Sequence, residues 1–308
     1  MQPGAATNVW AASACLLLPL LAACASGRPP APARLSDAQA AKCKELERAY
    51  RAGSEQYPAL RDELIKDPVV VPWVTRMFVR DVITAREGRP LGDDQEFLAA
   101  AARLELKVET RALAEIDTLG ALTVPTLIDD LLRNPQSHLR ELGIELLGRV
   151  GRPAREPLMQ LVRNGEVYER RAAARALGRF GVDAEVFAML RELALASDYT
   201  LRADALRAMR DGGEPARVFL LERMQKDEDP FVRRTAAVTL TAFPTTATAL
   251  AIVDFLDRCS KDKDREGERA AQRTLMQLAN ARTARTPEQW RAWAPELDAR
   301  ASAAEKPR

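Results

Sequence analysis

Histidine is almost missing from this 308-residue chain, and its scarcity removes much catalytic chemistry at once. The single copy is His138. A catalytic base needs an oriented partner, and nothing around His138 supplies one, so it reads as a surface residue where a helix begins. A zinc site needs several Cys or His ligands together, and the four cysteines stand far apart at 15, 24, 43 and 259. No glycine-rich phosphate loop occurs, and no stretch alternates in the manner of a strand. Aromatic residues make up only 5% of the chain, so any core rests on aliphatic side chains. Trp73, Trp290 and Trp293 read as core or capping anchors rather than a ligand cage. Neither sign of charge dominates: 46 basic against 44 acidic residues leave +2, too balanced for a nucleic-acid binder. The pairs Asp129-Asp130 and Glu141/Glu145 have basic company on helical faces and read as solvated charges. No catalytic residue, metal or cofactor is expected.

The first 23 residues contain no Lys, Arg, Asp or Glu. Their apolar block, Leu16-Leu17-Leu18-Pro19-Leu20-Leu21, falls short of the roughly 20 apolar residues of a spanning helix and contains Pro19. It reads as the apolar region of an export signal. Leu21-Ala22-Ala23-Cys24 resembles a bacterial lipoprotein box, which implies cleavage before Cys24, its lipidation and membrane anchoring. Ala25 in the next position implies, by the same resemblance, outer-membrane delivery facing the periplasm. Residues 24–35 carry Pro29, Pro30 and Pro32 and suit a semi-extended tether. Cys15 leaves with the signal. Cys43 and Cys259 lie near opposite ends of the remaining chain and are expected to be buried, unbridged apolar residues.

Residues 36–92 are expected to form an amino-terminal helical cap. Ser36-Asp37-Ala38-Gln39 has the form of a capping box. Cys43, Leu46 and Tyr50 then share one helical face, and Ala52-Gly53 ends the helix. A second helix is predicted from Ser54 to Lys66, with Leu60, Leu64 and Ile65 inward. After Asp67-Pro68, the spacing of Val74, Met77, Phe78, Val82 and Ala85 predicts a long amphipathic helix, followed by a break at Gly88–Gly92.

Residues 93–280 repeat with a period of about thirty, and such arrays stack their units to share a core. The clearest copy runs from Tyr168 to Gly181, and counterparts end at Gly120, Gly151, Gly213 and Pro244. Each unit has a Leu- and Val-rich first helix and a second helix patterned with Arg and Ala. First helices are predicted at 124–132, 153–162, 184–195, 215–224 and 247–256. Leu147, Leu177, Met209, Leu240 and Leu275 occupy one core position in successive units. Ala172, Ala173 and Ala176 allow close helix approach, and Gly178-x-x-Gly181 is read as a tight exit. Arg140, Arg170, Arg202 and Arg233 form one column, expected to pair with carboxylates or helix ends of adjacent units. Ser260 to Glu266 is predicted as a longer, charged loop, and residues 281–308 as a capping segment and tail.

Asp229-Pro230-Phe231-Val232-Arg233-Arg234-Thr235-Ala236-Ala237 and Arg170-Arg171-Ala172-Ala173 resemble the HEAT repeat, in its short bacterial variety also called phycobilisome-lyase-type. Leu201 to Ala205 and Leu139 to Gly143 match more weakly. Thr286-Pro287-Glu288-Gln289-Trp290-Arg291-Ala292-Trp293 resembles the end of bacterial multi-HEAT proteins. The resemblance implies an all-α, right-handed α-α superhelix, a HEAT-like solenoid whose second helices line a concave face. It does not carry a function with it. Iron-dependent HEAT hydroxylases use His-Glu pairs, which one histidine cannot supply.

One surface stripe stands out. Arg171, Arg175 and Arg179 follow one another at four-residue steps, and Arg149, Arg207, Arg234, Arg269 and Arg273 fall on the equivalent face of other units, interrupted by Glu141, Glu145 and Asp211. A basic face of this kind favours an acidic partner. Arg149, Arg171, Arg175, Arg179, Arg207 and Arg234 are therefore the candidate binding residues, and Cys24 the lipidation site. The leading expectation is a non-enzymatic protein-binding scaffold or assembly factor, lipid-anchored in the cell envelope and monomeric on its own. Two alternatives stay open: an enzyme or accessory subunit of phycobilin-lyase-like type, and a binder of an anionic envelope polymer.

Overall fold

A computed structural model describes residues 34–87, 95–280 and 286–299, with side chains from 106 onward in the second span. The expected export signal, Cys24, all but the last two residues of the expected tether and the expected Gly88–Gly92 break lie outside the described residues. Every regular element among the described residues is helical. The protein is all-α, built of stacked helix pairs in the manner of a HEAT-like solenoid. It divides into two compact units, with the division after Gln160.

In the first unit, α1 (Asp37–Ala52), α2 (Tyr57–Leu64) and α3 (Val71–Glu87) precede the long α4 (Gln95–Leu119). The Ser36/Gln39 capping box is present at both of its hydrogen bonds, and Gly53 closes α1 in the left-handed conformation at φ +66°. Helix α2 starts at Tyr57, three residues later than the spacing predicts, because Pro58 fits a first helical turn and Tyr57 is itself a core residue. Leu64 is buried there, while Leu60 and Ile65 are only half-buried. All five residues expected to face inward on α3 are buried. Tyr50 joins them by meeting Tyr57 and Phe78 at centroid distances of 5.2 and 5.3 Å. Arg111 of α4 lies 4.1 Å over the Tyr50 ring, and Arg51 forks onto the buried Asp81 carboxylate at 2.9 and 2.7 Å. These contacts join α1, α3 and α4 through specific side chains as well as apolar burial.

The first unit continues through α5 (Val124–Leu127), widened into a π turn over Ile128–Leu132, and α6 (Ser137–Val150). Leu142, Ile144, Leu146 and Leu147 of α6 are buried. Helix α7 (Arg152–Asn164) runs across the division between the units.

In the second unit the pairs are regular. Helix α8 (Val167–Leu177) is followed by the hairpins α9 (Ala184–Leu193) with α10 (Tyr199–Ala208), α11 (Gly213–Lys226) with α12 (Pro230–Thr239), and α13 (Thr246–Lys261) with α14 (Arg265–Leu278). A short α15 (Pro287–Trp293) closes onto α13. The second helices α8, α10, α12 and α14 stack each on the next. Leu147, Leu177, Met209, Leu240 and Leu275 are all fully buried, so the repeat register read from the sequence is the register of the fold. Gly120, Gly151, Gly181 and Gly213, where copies of the repeat end, all have positive φ, which glycine adopts without steric cost.

Three details differ from expectation. The 260–266 segment is a tight turn rather than a long loop: α13 continues to Lys261, Lys263 turns at φ +58°, and Asp264 caps α14 through the Gly267 N–H. Second, Gly178 has an ordinary helical φ of −59°. Its role is close approach, since a Cβ there would stand 2.6 Å from the Ala208 carbonyl oxygen and 2.7 Å from its Cα. Gly178→Ala should therefore destabilise the second unit by about 1–3 kcal/mol through overpacking, although alanine is the better helix former. Chemical denaturation checks this, and an unchanged midpoint would mean that α8 and α10 are not so close.

Third, the column of Arg140, Arg170, Arg202 and Arg233 reaches back within its own unit. Arg140 donates to the carbonyls of Asn134 and Pro135, Arg170 to Val162, Arg202 to Ala196 and Ser197, and Arg233 to Asp227 and Glu228. Each arginine thus satisfies orphan carbonyls at the end of the preceding first helix or in the turn after it. Arg202 alone also binds carboxylates of the following turn, chiefly Asp227.

Candidate binding face

The second helices of the second unit each present two rows of side chains. One row is small or aliphatic and buried: Ala172, Ala173 and Leu177 on α8, Ala203, Ala205 and Leu206 on α10, Ala236 and Ala237 on α12, Ala270 and Ala271 on α14. The other row faces solvent and holds the expected arginines. Arg171 and Arg234 are half-buried, and Arg179, Arg207, Arg269 and Arg273 are exposed.

The electrostatics of this row are set by carboxylates that the sequence pattern does not place beside it. Asp204 of α10, with a side chain only 3% exposed, lies beneath Arg171 and Arg207 and accepts from each at 2.7 Å. Arg234 approaches Asp264 at 3.4 Å, and Arg269 meets Glu266 at 2.8 Å. Arg149 belongs to the first unit, where it pairs with Asp117. Arg175 also has an interaction of its own. Arg149, Arg171, Arg207 and Arg234 are therefore held in place by carboxylates rather than left as part of a bare positive strip. A guanidinium has five N–H groups, so a single carboxylate contact leaves most of its donors available to a ligand.

Sequence reasoning missed the apolar members of this face. Tyr199 at the start of α10 is 47% exposed, Phe231 at the start of α12 is 36% exposed, and Val238 further along α12 is 46% exposed. Tyr199 meets Phe231 edge-on, with centroids 6.0 Å apart and planes at 88°. Arg207 stacks on Phe231 at 5.4 Å from the ring centroid. A surface groove of about 300 Å³ runs here between α10, α12 and α14, lined by Arg207, Phe231, Arg234, Val238 and Arg273 among others. The available signal was Phe231 itself, placed two residues before its unit's column arginine, where the clearest repeat copy carries Tyr168.

Local chemistry fixes the starts of these helices. Asp198 caps α10 through the Leu201 N–H at 2.8 Å and accepts from the Thr200 hydroxyl. Those hydrogen bonds hold its carboxyl below the usual range. Asp229 caps α12 through the Phe231 N–H at 2.8 Å, which also fixes where the Phe231 ring leaves the backbone.

The two cysteines among the described residues are free and buried, as expected. Burial, and then Asp264, pushes the Cys259 thiol up to about 11, and burial raises that of Cys43. Both stay protonated at neutral pH and are poor nucleophiles. His138 is exposed in the first turn of α6. Trp290 and Trp293 are buried at the closing helix and meet edge-on at 5.5 Å. Among the described residues no group of three His, Cys, Asp or Glu side chains is placed to hold a metal, and no helix is long and apolar enough to cross a membrane.

Residues 124–210 match the family described as HEAT repeats. The chain contains a HEAT-repeat domain. That match begins at α5 and ends beyond α10, so it takes in the Arg–Ala copies at Arg140, Arg170 and Arg202. The further copy on α12 carries the same arginine-to-carbonyl bonds, and Leu240 just after it fills the same buried core position. No curated protein matches the chain. HEAT stacks are a fold often used for protein–protein interaction, and the two-row division of α10, α12 and α14 has the form such use requires: one row builds the core and the other remains available.

Proposed function

We propose that this protein is a non-enzymatic binding scaffold or assembly factor of the bacterial cell envelope, tethered to a membrane through lipidated Cys24 and engaging a protein partner through its HEAT repeats. The observation that carries the binding part is the solvent-facing row on α10, α12 and α14. Aromatic and arginine side chains there are held in defined positions by Asp204, Tyr199 and the Asp229 cap. Exposed aromatics beside arginines have the composition of interface anchors. The envelope part rests on the Leu21-Ala22-Ala23-Cys24 box and the uncharged segment before it. A single acyl chain anchors weakly and two anchor stably, so the multiply acylated cysteine of a lipoprotein would hold the chain at the membrane.

The anchor is tested by Cys24→Ala. The wild-type chain should label with palmitate and sediment with membranes, whereas the variant should lose the label and become soluble or remain unprocessed. Labelling that survives the substitution would place the anchor elsewhere. The binding part is tested by cross-linking the anchored chain in its native membrane, where a discrete protein adduct is expected. Absence of any adduct from positions spread over both rows of the second helices would remove the scaffold reading.

A further inference from the structure

We infer that the groove between α10, α12 and α14 docks an extended acidic segment of a protein partner, with one aromatic or branched aliphatic side chain set against Phe231 and Val238. This rests on the protein-binding reading above and names the chemistry of its partner. The groove volume, about 300 Å³, suits one or two side chains of a strand-like peptide rather than a folded domain.

Its apolar part is built, not incidental. Phe231 is fixed at its backbone by the Asp229 cap, at its edge by Tyr199 and on one face by Arg207. Thr235 and Thr239, both buried, lie beside it on α12, and Val238 stands exposed on the same helix. A ligand side chain laid on Phe231 and Val238 removes apolar area from water without ordering the groove, because the groove is already ordered.

Its charged part selects an anion. Arg207, Arg234 and Arg273 line the groove with the apolar patch, one from each of three successive second helices. Asp204 lies buried beneath Arg207, so the remaining guanidinium donors are directed away from it. Arg273 donates to the Arg269 carbonyl, and no carboxylate pairs with it among the described residues. Glu266 is the one acid in the lining. A segment with carboxylates on either side of an apolar residue would meet arginines on both sides of Phe231. A polyanion without apolar groups would leave Phe231, Val238 and Tyr199 wet, which is why a peptide fits better than a polymer.

Fluorescence anisotropy on the full chain in detergent tests this. The probe is a labelled nine-residue peptide that alternates glutamate with phenylalanine and leucine, compared with nine-residue polyglutamate and with polyphosphate. The alternating peptide should bind about tenfold or more tightly than polyglutamate, the scale of one buried apolar anchor. Phe231→Ala and, independently, Val238→Glu should erase that advantage. Arg273→Glu should weaken both peptides, and binding should decline with ionic strength as the field is screened beyond about 8 Å at physiological salt. Val238 and Arg273 are exposed and their variants should melt like wild type, whereas Phe231→Ala forfeits its contacts with Tyr199 and Arg207 and should melt somewhat lower without unfolding the stack. Equal affinity for the three probes, no effect of Phe231→Ala, or no binding of the alternating peptide would each overturn the proposal. A native protein adduct that persists in Phe231→Ala and Arg273→Glu would also overturn it, while leaving the scaffold reading intact.

Discussion

Leu177→Ala is expected to lower the stability of the second unit by about 2–5 kcal/mol, the cost of removing a large buried aliphatic side chain and leaving a cavity. Leu177 is fully buried at the end of α8, which packs along its neighbour α10. Collapse around the missing atoms is restricted because Gly178, the next residue, already brings α8 against Ala208 of α10. The melting temperature should fall by roughly 5–15 °C. Arg163→Ala is the matched control: its side chain is 45% exposed with its carboxylate contact at 3.9 Å, so the change should stay within about 0.5 kcal/mol. Circular dichroism melts of the two variants check both values. Equal melting temperatures would mean that the core column is misassigned.

The second large effect is expected at Arg202. Its side chain is 6% exposed and forks onto Asp227, itself 3% exposed, at 3.0 and 3.2 Å. The same guanidinium donates to the carbonyls of Ala196 and Ser197 at 3.0 and 2.9 Å. One side chain therefore ties the α9–α10 turn to the α11–α12 turn. Arg202→Met should cost about 3–5 kcal/mol, because it leaves a buried carboxylate without its partner. Arg202→Lys should recover only part of this, since an ammonium cannot make the planar two-point contact and reach both carbonyls. Urea denaturation of the three proteins gives the ordering wild type, then Lys, then Met. If Met were as stable as wild type, Asp227 would have to find another partner.

The contrast among the arginines shows what was legible in the sequence. The thirty-residue period and the column from Leu147 to Leu275 could be read directly, because a buried position repeats once per unit. The arginine column at 140, 170, 202 and 233 was legible as structural for the same reason, and its carbonyl partners are five to eight residues away. Asp204 was not legible as the partner of Arg171, because it stands 33 residues later on a neighbouring second helix. Whether such a residue meets Arg171 depends on how far one unit rotates past the next, which no local pattern encodes. The hint was compositional: Asp204 occupies a position that holds Ala172, Thr235 and Ala270 in other units.

The same distinction applies to Gly178 and Phe231. Read along the chain, Gly178 and Gly181 look like two turn glycines, and only the second has positive φ. The requirement for glycine at 178 comes from the Ala208 backbone on another helix. Phe231 sits inside the motif that identifies the repeat and was therefore absorbed into it. Its exposure depends on its place at the helix start, with Val232 taking the buried position next to it.

The central claim is that the solvent-facing row of α12 is where a protein partner is held. Site-specific photocross-linking from the chain in its native cells tests it most directly, with a photoreactive amino acid in place of Val238 or in place of Val218. Both positions are exposed, but Val238 lies on second helix α12 beside the groove and Val218 on first helix α11. The account predicts a discrete protein adduct from position 238, reduced by Phe231→Ala, and none from position 218. Adducts of equal yield from the two positions, or from position 218 alone, would contradict it.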